Sequence, residues 1–319
     1  MTPRAGTTVV PIPPLYSRRT TASMGKVQRV RFVAERVIGI PTLPTIAAKL
    51  MELVDNPKVS AESLARLIQG DQALTAKILK LANSVYFGMQ REVSTVPHAV
   101  VVIGFNAVKD MGLSVSVLDT FKNPSGNEYF ELSRFWEHAI SVGVGAQMLA
   151  KRFKPEYAAV SFVAGLLHDI GKVVVNQYMN DDFNEIMDRV HTDNMDLLEA
   201  EKTVLDTTHD RIGGWLADRW NLPFPIVEAI EFHHNPYLSA NHQTLAALVK
   251  LADYLGRRTR IGVSGNKKAP LLSDEDTVFL EKEGIGANEN SLQELSEEFL
   301  LSLDQAQTFI SLLHGAAGD

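Results

Sequence analysis

The run Gly165-Leu166-Leu167-His168-Asp169-Ile170-Gly171-Lys172 sets an imidazole beside a carboxylate at the end of an apolar stretch. Such a pair is costly in apolar surroundings unless its polar atoms are satisfied. A hydrogen bond between the two side chains is one solution. A metal ion is another, because imidazole donates a nitrogen and a carboxylate donates oxygens and can bridge two ions. His138, His209, the doublet His233-His234 and Asp253 supply the same donor types elsewhere along the chain. Together with His168 and Asp169 they exceed the three protein ligands of a catalytic zinc. They suit two divalent ions, with Asp169 as the bridge. Nitrogen and oxygen donors without sulfur favour iron or manganese, with zinc admissible, over calcium. Lys172 follows about one helical turn on, and a surface lysine at a helix end is its plain reading.

The chain that must bring these groups together has 319 residues, enough for one large domain or two modest ones. Its 45% hydrophobic and 22% charged residues are those of a globular protein. A net charge of −7 gives no reason to expect general nucleic-acid binding. There is no cysteine, which excludes disulfides and thiolate ligands and suits a reducing compartment. No apolar run is read as long enough for a membrane span, and Pro11, Pro13 and Pro14 interrupt the place of a signal peptide. The expectation is a cytoplasmic protein.

Spacing of apolar residues by three and four predicts helices almost throughout. Residues 1–30 form a basic leader, read as a disordered tail; residues 1–36 hold seven Lys/Arg against the single acid Glu35. Residues 31–122 read as a bundle of short helices. Pro44 opens the first, Ser60 and Asp71 cap the next two, Pro97 opens a fourth and Asn106 caps a fifth. Asn123-Pro124-Ser125-Gly126-Asn127 marks a boundary. Residues 128–258 form a second helical lobe, and 257–270 a basic, glycine-containing linker. Residues 271–319 add two or three helices: 273–283, 291–303 and 304–313. The fold class is all-α, and helix bundles build metal sites from inward-facing side chains on several helices.

His138, His168-Asp169 and Asp253 together resemble the H…HD…D signature of the HD metal-dependent phosphohydrolase superfamily. His209 and the His233-His234 doublet are similar to the fuller ligand set of its HD-GYP branch, whose members hydrolyse cyclic di-GMP. The N-terminal half resembles a different branch. Leu43-Pro44-Thr45-Ile46, Asp71-Gln72-Ala73-Leu74-Thr75, Leu81-Ala82-Asn83-Ser84 and Ile103-Gly104-Phe105-Asn106-Ala107-Val108 are similar to the motifs of HDOD, the HD-related output domain of bacterial signalling. That resemblance covers about residues 36–240. Many HDOD domains have lost the metal ligands, whereas this chain keeps a full set. Asn235-Pro236-Tyr237 follows the doublet, and no Gly-Tyr-Pro motif appears downstream. Arg134 stands where some relatives carry a glutamate that recruits a third ion.

The resemblance implies that His138, His168, Asp169 and Asp253 hold one ion, and Asp169, His209, His233 and His234 the other. It implies that a water between the ions attacks a phosphodiester, with Asp169 and Lys172 in catalytic roles. Three functions follow as expectations. The first is a signalling output module that binds a partner protein or a nucleotide effector, its ions structural or sensory. The second is a phosphohydrolase acting on a cyclic dinucleotide or another nucleotide. The third is a metal-free interaction scaffold.

Overall fold

The computed structural model describes residues 33–35, 40, 42–53, 60–83, 92–121 and 129–316, and the side chains up to 303. The described residues are helical, with no β-strand among them. The basic leader and the boundary expected at 123–127 lie outside them.

In the first half, α1 spans Thr45–Glu52, α2 Ala61–Gln69, α3 Gln72–Ala82, α4 Val96–Ile103 and α5 Phe105–Thr120. The side chains of Ser60 and Asp71 accept from the backbone N–H of Ser63 and Leu74 and cap α2 and α3. Gly70 ends α2 with right-handed backbone, so it supplies no left-handed cap. Thr95 caps α4, and Pro97 sits in its first turn. Asn106 is not the cap of α5. Gly104, at φ 96°, turns the chain between α4 and α5, and the helix starts two residues early with no side-chain cap. From Val108 to Leu118 every residue of α5 is buried, as befits the central rod of a bundle.

The second half holds α6 (Leu132–Phe153), α7 (Ala158–Leu167), α8 (Ile170–Tyr178), α9 (Asn180–His191), α10 (Leu197–Leu205), α11 (His209–Arg219), α12 (Phe224–Phe232) and α13 (Gln243–Arg258). The chain ends in α14 (Asp274–Lys282), opened by a capping box at Ser273 and Asp276, and α15 (Glu289–Ala316). The two final helices expected on either side of Asp304 are one continuous helix of 28 residues. A single aspartate costs a helix interior only a few tenths of a kcal/mol, and no glycine or proline accompanies it there.

α6 is the spine of this half, with α7, α13 and α15 against it, while α12 packs on α7, α11 and α13. One apolar core runs from Val33 to Leu303 through both halves. The segment Pro155–Tyr178 is apolar over a longer window than the sequence reading allowed. An 18-residue window within it reaches a mean hydropathy of 1.6, apolar enough to cross a membrane, but 89% of that window is buried inside the protein.

Candidate metal centre

Each candidate ligand sits where a helix begins, ends or faces the core. His168 is the C-cap of α7 and His233 the C-cap of α12. Helix C-termini leave carbonyls without intrahelical partners, and both histidines use them. His168 Nδ1 lies 2.7 Å from Gly165 O, and His233 Nδ1 lies 2.8 Å from Ile230 O. A carbonyl only accepts, so Nδ1 carries the proton in each ring. Asp169 occupies the junction between α7 and α8, and His209 opens α11. His138 lies on α6 and Asp253 on α13.

Gly171 makes the junction possible. A Cβ there would stand 2.0 Å from the His209 carbonyl oxygen and 3.0 Å from the Gly213 nitrogen. Its role is close approach of α8 to α11, which draws His209 up to Asp169. Gly262 does the same on the other side. It has φ 65°, and a Cβ on it would lie 2.4 Å from the His138 backbone nitrogen. The stretch expected as a linker after α13 is therefore folded onto α6. His138 Nδ1 meets Ile261 O at 3.3 Å, and Val263 N–H donates to Arg134 O at 3.0 Å.

His138, His168, Asp169, His209 and His233 are at most 1% exposed, and Asp253 is 8% exposed. Only His234 is partly open. Their donor atoms converge as two groups, Asp169 with His209, His233 and His234, and His138 with His168 and Asp253; within each group these atoms lie within 4.8 Å of one another. Asp169 joins the groups. Its Oδ1 is 3.0 Å from His209 Nε2 and 3.7 Å from His233 Nε2, while Oδ2 is 3.3 Å from His168 Nε2. Asp253 Oδ1 lies 2.9 Å from His138 Nε2 and 3.9 Å from His168 Nε2. Two donors on one ion at bond lengths near 2.1 Å stand about 3–4 Å apart, the range found here.

Glu201 was not singled out in the sequence, where it reads as part of a solvated charged run, Glu199-Ala200-Glu201-Lys202. It is buried and holds His209 twice: its carboxylate accepts from the backbone N–H at 2.9 Å and from ring Nδ1 at 2.8 Å. A carboxylate behind a ligating imidazole fixes its tautomer and raises its basicity. With Nδ1 protons committed outward in His168, His209 and His233, their Nε2 lone pairs face inward, as the hydrogen-bond network assigns them, while His138 Nε2 donates to the Asp253 carboxylate at 2.9 Å.

His209 Nε2 and His234 Nε2 share a hydrogen bond at 3.0 Å, but no donor reaches His168 Nε2, His233 Nε2 or Asp169 Oδ1 in hydrogen-bonding geometry. Buried acceptors meeting this way need a positive species between them, a proton or a metal cation. Without metal the electrostatics answer with protons. Burial opposes a charge on His209, but Glu201 and then Asp169 outweigh it and push its pKa up to about 9. Burial, with the charge of His168, pushes His233 down to about 3. Burial and the neighbouring His233 and His209 hold His234 well below the usual histidine value. Burial works against the Asp169 carboxylate, yet His168, Lys172 and His209 hold it well below the carboxylate range. The donor set and its orphaned atoms fit divalent metal ions.

Lys172 is not a surface lysine at a helix end. It is 5% exposed, and its ammonium donates to Asp169 Oδ2 at 2.5 Å and to Ser264 O at 2.8 Å. Of the other histidines, His191 stacks on Tyr129 and His242 packs beside Phe224, both away from the centre.

Comparison with known proteins supports the same reading of the fold. An uncharacterized protein of Treponema pallidum is 30% identical over 223 residues, covering 69% of this chain and 43% of that protein. The chain thus spans less than half the length of that relative. A solved HDOD domain protein of unknown function from Geobacter sulfurreducens superposes with a TM-score of 0.70 at 25% identity, covering 92% of this chain and 99% of the other. A candidate phosphohydrolase from Shewanella amazonensis SB2B gives 0.69 at 25% identity, over 88% of this chain and 97% of that one. The HDOD domain family matches residues 40–236, more than half of the sequence, and with that match the chain belongs to the HDOD domain family.

Proposed function

We propose that this HDOD domain holds two divalent ions and works as a metal-dependent output module in signal transduction, answering a protein partner or a nucleotide effector. The observation that supports it is the inward convergence of nitrogen and carboxylate donors around Asp169, with the rings of His168, His209 and His233 fixed from behind by a carbonyl or by Glu201. His138, His168, Asp169 and Asp253 hold one ion; Asp169, His209, His233 and His234 hold the other. Iron or manganese suits the mixed nitrogen and oxygen set, and zinc is admissible. Lys172 positions Asp169 and balances its charge, because its ammonium is already committed to that carboxylate and to Ser264 O.

A second reading, hydrolysis of a phosphate ester, is favoured by a basic cavity that reaches His138. Paired ions, when bound, supply Lewis acidity and a water of lowered pKa. The chain's own part is to exclude solvent from the ligands, to fix the tautomers and to present positive charge at the rim. The relative from Shewanella amazonensis, described as a candidate phosphohydrolase, agrees with this reading.

Elemental analysis of protein purified without chelators tests the centre. Two ions per chain are expected, and fewer than one discards the ligand assignment. Assay of bis(p-nitrophenyl) phosphate, with Asp169→Ala as control, then separates the readings. Turnover lost in the control supports the hydrolase, and two ions without turnover supports the output module.

A further inference from the structure

Residues 257–268 hold Arg257, Arg258, Arg260, Lys267 and Lys268 and no acid, in a chain of net charge −7. Together with His138 they line one half-open cavity of about 580 Å³, with no carboxylate in its wall. The cavity is large enough for a small organic ligand.

The loop's floor is fixed, while three of its five cations carry no ion pair among the described residues. Ile261 O faces His138, Ser264 O accepts from Lys172, and Val263 N–H is held by Arg134 O. Arg257 donates to Lys268 O at 2.8 Å, and Lys268 N–H donates to Asn266 Oδ1 at 3.1 Å. Arg258 is occupied by Glu289 at 2.6 Å. Arg260, Lys267 and Lys268, by contrast, are exposed and make no ion pair among the described residues. Cations held on a rigid backbone and left uncompensated beside a buried site attract an anion. Ile261, Val263, Pro270 and the Tyr254 ring line the same cavity, giving it an apolar wall.

The geometry points to a binding site for an organic phosphate ester, its phosphate between Arg260 and Lys268 on the His138 side and its organic body against Tyr254, Val263 and Pro270. This rests on the proposed metal centre only for the inner face of the pocket. The loop charges act whether or not ions are bound.

Calorimetric titration of the full chain with phenyl phosphate, inorganic phosphate and phenol tests the site, with metal content measured on the same samples. The probe variant is Arg260→Asn with Lys268→Gln. Both positions are exposed, and asparagine tolerates the left-handed backbone at residue 260 (φ 60°). Phenyl phosphate is expected to bind more tightly than inorganic phosphate and far more tightly than phenol, and to weaken as salt rises. The double variant is expected to lose at least about tenfold in affinity, as two charge-assisted contacts imply, with metal content unchanged. Wild-type affinity in the double variant, or phenol binding as well as phenyl phosphate, would overturn the site. Charge-dependent binding by protein that carries no metal would uphold it while discarding the metal centre.

Discussion

Asp169 meets Lys172, His168, His209 and His233 through its two oxygens, all within 3.7 Å. Asp169→Ala removes the shared ligand and leaves Lys172 buried without its carboxylate. Both ions should be lost from protein that still folds, read by elemental analysis beside circular dichroism. Glu201→Gln acts from behind. It keeps the volume but weakens the grip on His209 Nδ1, and outer partners of this type are worth about 10- to 100-fold in metal affinity. The expected titration shows one weakened ion and one unchanged. Residue types were legible here: His168-Asp169 at an apolar helix end announces a costly pair. Glu201 was not, because a glutamate eight positions before its partner, across a turn, carries no periodic signal. Lys172 was legible as a charge near the pair, but its direction was set by the loop that supplies Ser264 O, ninety-two positions away.

At the scale of elements, α8 and α11 meet because residue 171 has no side chain. Gly171→Ala places a Cβ against backbone that cannot step aside, 2.0 Å from the His209 carbonyl. Overpacking of this kind costs about 1–3 kcal/mol or more. A lowered melting temperature, with weaker metal retention because His209 withdraws from Asp169, is the expected outcome of thermal denaturation and metal analysis. Caps and openings were readable where a short polar side chain or a proline announces itself, as at Ser60, Asp71 and Pro97. Asn106 misled because Gly104 had already turned the chain, and Asp304 misled because one acid is too weak to end a helix. The fold-back of 259–270 was hidden for another reason. Its anchors are backbone carbonyls, and these leave no trace in residue identity.

For the molecule as a whole, the joint between its halves holds a buried charge. Lys109 on α5 reaches across to Ala159 O, and beside it Asp110 accepts from Gln147 at 3.0 Å. Burial raises the Asp110 pKa from 3.8 to about 6, and Lys109 and Gln147 only partly oppose it. The folded protein therefore binds this proton more tightly than the unfolded chain does. Its contribution favours folding fully below about pH 4 and is lost as pH rises through 6, on the order of 3 kcal/mol in all. Denaturant titrations should show wild type losing stability relative to Asp110→Asn between pH 4 and 7, and a constant difference would exclude it. The apolar stretch Pro155–Tyr178, finally, is harmless only when clothed by α6, α12 and α13. During synthesis it leaves the ribosome well before α12 and α13 exist. A nascent or truncated chain ending before Gln243 thus displays a surface that lipid and chaperones compete for. Such fragments should pellet with membranes or aggregates, while the finished polypeptide stays in the supernatant.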